Sequence, residues 1–217
     1  MTNKTPLTLT ACQDNCIVTL SKTGVDLFTI FYLTNTLGGG WHQYHKDQKI
    51  VLRKAGDYVQ FANSRSDKFS DISSYYYFEL TGYISASGNI QSLLNWSDEC
   101  TTYCFFRLFN KCETLVHPPE LPATKLAPWC YANMFYECKS LKYAPELPAK
   151  RMFPYCYFEM FEHCEKIVEA PALPAKVLAN NCYNGMFANC ISLVHSPELL
   201  AKQNNLETYK NNKMMIK

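Results

Sequence analysis

Residues 126–151 read LAPWCYANMFYECKSLKYAPELPAKR, and residues 152–177 read MFPYCYFEMFEHCEKIVEAPALPAKV. Laid one on the other, the two stretches share 12 of 26 positions, where unrelated segments of ordinary composition would share about one or two. The period extends in both directions. Cys104, Cys130, Cys156 and Cys182 form one column, and Cys112, Cys138, Cys164 and Cys190 form a second, each advancing by that same constant step. Four units of the pattern LxxxCYxxMFxxCxSLxxAPELPAK therefore run between Tyr103 and Lys202. A unit of that size cannot bury its apolar side alone, so neighbours must stack and the recurring residues form ladders through one core.

Within a unit, Cys130, Met134 and Cys138 stand four apart, as do Cys156, Met160 and Cys164, which predicts a helical stripe of about two turns. The following proline-rich segment ends that helix and continues as an extended piece. The expected inward set is Leu115, Leu141, Ile167 and Leu193, with Phe109, Phe135, Phe161 and Phe187 and both cysteine columns.

The unit pattern CYxxMFxxCxSLxxAPELPA resembles the bacterial leucine-rich repeat of the BspA or Treponema type, whose units carry AFxxCxSLxxIxLP. The likeness runs from Tyr103 to Lys202, with Phe, Cys, Leu and Pro in matching order in four units. It implies a curved solenoid used for binding and adhesion. This chain differs in carrying Ala-Pro where the family has a strand hydrophobe, and in its longer unit.

Ahead of Cys100 the texture changes to short β-branched and aromatic runs, LTLTA, CIVTL, LFTIFYL, KIVL, DYVQF and YYYFELTGYISA, separated by turn residues. That pattern predicts an antiparallel β-sandwich, and its order is similar to the β module that precedes such repeats in gut-bacterial and tailed-phage open reading frames. The expected architecture is α+β: a β-sandwich module over 1–95, a leucine-rich-repeat-like solenoid over 96–202, and a polar tail over 203–217.

With 217 residues the chain can bury a sizeable core without covalent help. Its net charge of +2 is far from the basic excess of a polyanion binder, so no nucleic-acid partner is expected. The longest apolar run, Leu27 to Leu33, falls well short of the roughly 20 residues of a membrane helix, and no membrane insertion is expected. The stretch from Met1 to Val25 lacks the apolar centre of a secretory signal. A location in a virion or in the cytoplasm is expected for the chain as encoded, with surface exposure only through another export route.

Eleven cysteines cannot all pair within one molecule. The columnar eight are expected as reduced, buried, unmetallated thiols, because free cysteine packs as a small hydrophobe and no CxxC knuckle occurs. Cys12 and Cys16 could pair if oxidised, as could Cys100 and Cys104. His42 and His45 follow three glycines that suggest a hairpin, where residues three apart point to opposite faces, so they are not assigned a metal. No nucleophile motif, phosphate loop or dinucleotide fingerprint appears, and neither a reaction nor a cofactor is expected.

Comparing the four units separates fixed core columns from a varying one, His117, Tyr143, Glu169 and His195, on the extended segment. These four, with Lys142 and Glu146 beside them, are the candidate ligand contacts, since solenoids present recognition surfaces as in-register rows. The expected function is non-catalytic binding of a protein or glycan ligand on a cell surface. The alternative is a virion decoration or fibre protein with assembly partners; a glycan-active enzyme ranks last.

Overall fold

A computed structural model describes residues 4–24, 29–64, 69–197 and 199–201. Among these residues the chain is β-rich, with nine strands in two sheets, and its only helical piece is a 3-10 turn at Ile90–Leu94. Strands β1 (Leu7–Ala11), β2 (Cys16–Lys22), β3 (Ile30–Thr34), β4 (His42–Gln43), β5 (Lys49–Leu52), β6 (Tyr58–Asn63), β7 (Tyr76–Thr81) and β8 (Ile84–Ser87) precede the repeats, and β9 (Leu115–His117) lies in the first unit. One sheet has the order β4-β3-β6-β1-β8-β9 and the other β5-β2-β7. All pairings are antiparallel except β8 with β9.

Period-two alternation sends Leu7, Leu9 and Ala11, then Cys16, Val18 and Leu20, then Val59 and Phe61 into the interior. The two sheets meet there, with Phe61 edge-on to Phe78 at 5.3 Å between ring centres. Ser92, fully buried in the 3-10 turn, accepts from the Leu7 amide and donates to the Phe61 carbonyl, tying β1 to β6.

The repeats join this core directly. Phe78 stacks on Phe109 at 4.9 Å, the Phe78 amide donates to the Leu108 carbonyl, and β9 extends the six-stranded sheet. Beyond that point matching rings stack nearly parallel from unit to unit: Phe109, Phe135, Phe161 and Phe187 at 5.2 to 5.5 Å, and Tyr131, Tyr157 and Tyr183 at 5.7 and 5.8 Å. Leu115, Leu141 and Ile167 are fully buried, and Leu193 is partly buried against the same core.

The expected helix in each unit is not there. Its place is taken by a ribbon of linked turns, in which even-numbered amides bond three residues back, as Cys130 to Ala127, Ala132 to Trp129 and Met134 to Tyr131 do. Odd-numbered amides instead cross to the next unit: Trp129 to Pro154, Tyr131 to Cys156, Asn133 to Phe158, Phe135 to Met160 and Glu137 to Glu162. Every fourth residue has positive φ, for example Trp129, Asn133 and Glu137. A period of four puts Cys130, Met134 and Cys138 on the buried side as a helix would, which is why the sequence pattern suggests one. Stacking decides between the two, because a ribbon that spends half its amides on a neighbour satisfies every backbone donor only when the neighbour is present. Glycine or asparagine would ordinarily mark the positive-φ positions, yet Tyr103, Arg107, Lys111, Trp129, Glu137, Tyr155, Glu159 and His163 occupy them.

The same geometry accounts for the cysteines. Cys112, Cys138, Cys164 and Cys190 each direct the thiol at the carbonyl of Phe78, Phe109, Phe135 and Phe161 in turn, at 3.0 to 3.2 Å. All eleven cysteines are free, and Cys12 alone is exposed. Native-state labelling with a thiol reagent is therefore expected to modify Cys12 first, with the columnar eight reacting only on unfolding. Fast labelling of several sites in the native protein would contradict this packing.

Candidate functional site: clefts between the proline segments

After each turn ribbon the chain runs out through Pro-rich extended segments. Prolines have no amide hydrogen, so Pro118, Pro119, Pro122, Pro145, Pro148, Pro171, Pro174 and Pro197 cannot zip neighbouring segments into a ladder. Pairing there is reduced to isolated parallel bridges such as Arg151 with Val177 and Leu173 with Leu199. The segments stay in register, held by the ribbons, yet stand apart and leave clefts.

The larger cleft, about 700 Å³, lies between the segments of units one and two and the end of β8, with Pro118, Leu121, Pro122, Tyr143, Pro145 and Glu146 among its walls. A second, about 440 Å³, lies between units three and four and is walled by Glu169, Pro171, Pro174, His195, Pro197 and Leu200. The varying column is thus divided. His117 and Tyr143 are stacked at 5.1 Å and 22°, and Tyr143 shares the larger cleft with Glu146. Glu169 and His195 belong to the second cleft. Lys142 lines neither; its amide donates to the Val116 carbonyl, and its side chain is exposed.

His117 is fixed from behind. It sits in β9, and its Nδ1 lies 3.0 Å from Ser85 Oγ on the paired strand β8. Burial, and then the charge of Lys142, push its pKa down, so the ring is neutral at pH 7. Tyr143 rests on that neutral ring with about half of its own surface exposed. This arrangement offers a pre-positioned phenol, an aromatic face and neighbouring carboxylates on an apolar floor. Its chemistry is recognition by contact and hydrogen bonding.

One surface feature escapes the varying-column comparison. On the ribbon side, Tyr103, Trp129 and Tyr155 stack in register, at 5.8 and 4.1 Å, with Phe106 and Phe158 edge-on to them. The signal was present as the aromatic residue before the first cysteine in TYC, PWC and PYC, but on a helix that position carries no special meaning. Asn133, on a helix a solvent-facing position, is buried and donates to Glu159 Oε2 at 2.9 Å.

Among the described residues no group of three or more His, Cys, Asp or Glu side chains is placed to hold a metal ion, and no helix is long and apolar enough to cross a membrane. The chain matches no protein-family model, and no curated protein or solved structure matches it.

Proposed function

We propose that the chain is a non-catalytic binding protein, a short leucine-rich-repeat-like solenoid joined to a β module, that takes a protein or glycan ligand into the cleft beside Tyr143. The observation that supports this most is the half-exposed Tyr143 ring stacked on a His117 that Ser85 holds in place. A tyrosine so backed has little ordering left to lose on binding, and tyrosine gives large contact area for few rotatable bonds. The contact between Ser85 and His117 serves orientation: Ser85 lies within strand β8, away from the sharp strand-to-helix elbow that exposes a nucleophilic serine.

A glycan and surface-protein array probed with the intact chain tests the reading. For whatever ligand it returns, Tyr143→Ala is expected to weaken binding by about 1 to 2 kcal/mol, the usual cost of truncating an interface anchor, with an unchanged melting temperature. Lys111→Ala, exposed on the ribbon side, should leave affinity as it was. Full affinity after alanine replacement of His117, Tyr143 and Glu146 together would move the binding surface elsewhere.

A further inference from the structure

The cleft beside Tyr143 is unbalanced in charge and in hydrogen bonding. Among the described residues that line it stand Glu120 and Glu146, with no lysine, arginine or histidine. Both glutamates are exposed, and neither carboxylate has a hydrogen-bond or ion-pair partner among the described residues. Five of the lining residues are prolines, each bringing a carbonyl and no amide hydrogen. The Glu120 amide is spent on the Gly88 carbonyl, and the side-chain donors on the described walls are the Ser87 and Tyr143 hydroxyls alone. The walls are therefore rich in acceptors and poor in donors, around a floor of proline rings, Ala86 and Leu121.

An occupant that matches such walls brings donors and positive charge but few acceptors of its own. A neutral sugar does not, since each hydroxyl that donates also accepts and needs wall donors that are scarce. An anionic glycan or a nucleic acid would set its charge against two carboxylates. A bare metal cation would leave the apolar floor unused, and among the described residues no three ligating groups converge there. An arginine side chain matches on every count. Its guanidinium carries five N–H donors and no acceptor, pairs with carboxylates in a forked geometry, and stacks on aromatic faces such as the half-exposed Tyr143 ring. Its methylene stem can lie along apolar surface, here Pro118, Leu121 and Pro145. At about 700 Å³ the cleft also has room for the backbone on either side of that residue.

We propose, on the reading of this cleft as the binding site, that its ligand is an arginine-bearing extended segment of a partner protein, with the guanidinium at Glu120 and Glu146 against Tyr143. The second cleft differs in the respect that matters. It carries one carboxylate, Glu169, beside His195, and has Ala172 in the column of Glu146. Arginine is therefore assigned to the larger cleft alone.

Two peptides that differ only in charge test this through the amide shifts of the ¹⁵N-labelled full chain: acetyl-Ala-Ala-Arg-Ala-Ala-amide, and the same peptide with citrulline, which keeps the shape of arginine without its charge. At ~10 mM peptide even a ~1 mM site is about nine-tenths filled. The arginine peptide is expected to shift the amides of Glu120, Tyr143 and Glu146 and to bind about tenfold more tightly than the citrulline peptide, the effect of one charge-assisted hydrogen bond. Glu120→Gln/Glu146→Gln should abolish that preference at an unchanged melting temperature, because neither carboxylate has a partner in the fold to lose. No shift at that concentration, or equal affinity for both peptides, overturns the proposal. The ligand returned by the array separates the arginine assignment from the reading beneath it. If its binding needs Tyr143 but is untouched by Glu120→Gln/Glu146→Gln, arginine is the wrong class and the cleft remains the binding site. If Tyr143→Ala leaves its binding intact, the cleft itself falls, and the arginine assignment with it.

Discussion

Raising the pH from 8 to 10 under reducing conditions is expected to unfold the protein. The eight columnar thiols all have their pKa pushed up by burial, those of Cys182 and Cys190 to about 12. In the unfolded chain the same thiols titrate near 8.5. A group whose folded pKa is raised binds its proton more tightly when folded, so its contribution is complete below the unfolded value and is lost as pH climbs through the interval. One pH unit above the unfolded value, each such thiol disfavours the native state by about 1.4 kcal/mol. Eight of them would remove about 11 kcal/mol, comparable with the whole stability of a domain of this size. Urea midpoints measured from pH 7 to 10 with reductant present should fall steeply from about pH 8.5. Cys138→Ala/Cys164→Ala, although less stable at pH 7, should show a shallower decline. A midpoint that held constant to pH 10 would mean that the thiols are not buried in the native state.

Phe135→Ala is expected to cost about 3 to 5 kcal/mol, as removal of a large aromatic from a packed core does. The ring is fully buried and stacked on both sides, by Phe109 and Phe161 at 5.5 Å each. The cavity cannot close by a local shift, because the odd-numbered amides on either side pin the ribbons at fixed spacing. Phe161→Ala, between Phe135 and Phe187, should cost about as much. The double variant should cost less than the sum, since the second substitution enlarges a cavity already opened by the first. A melting temperature within a degree or two of the parent would place this column outside the core.

Much of this organisation is legible from residue spacing alone. The repeat period gives the number of units and which columns are buried, because a stack can hide only the residues that recur. Strands β1, β2, β5, β6 and β7 announce themselves by alternation and by turn residues between them. The ribbon does not, because its period of four lies too close to the helical 3.6 for three cysteine and methionine positions to separate them, and because in the first three units aromatic and charged residues stand at every positive-φ position but Asn133, where Gly or Asn would have signalled a turn. Of the candidate contacts, comparison of the units finds Tyr143 and Glu146, which share a cleft, and Glu169 and His195, which share another. It cannot find that the row is split, since that depends on prolines keeping adjacent segments apart. Nor can it find Ser85, whose approach to His117 requires the parallel pairing of β8 with β9, two strands separated in sequence by the 3-10 turn and the whole first ribbon.

The direction of the inter-unit amides also bears on how the protein is made. In the ribbons each finished unit offers its odd-numbered amides toward the unit that follows it in sequence, while the extended segments bond the other way, as Lys142 to Val116 and Val194 to Val168 do. During synthesis the β module emerges first, then a first unit whose carbonyls meet it, and each later unit leaves the ribosome to find a ready row of donors already in place. The chain is thus built onto its own template in the order of translation, with partners about one unit apart in sequence, and a stall at any point leaves behind a folded stack with one open row.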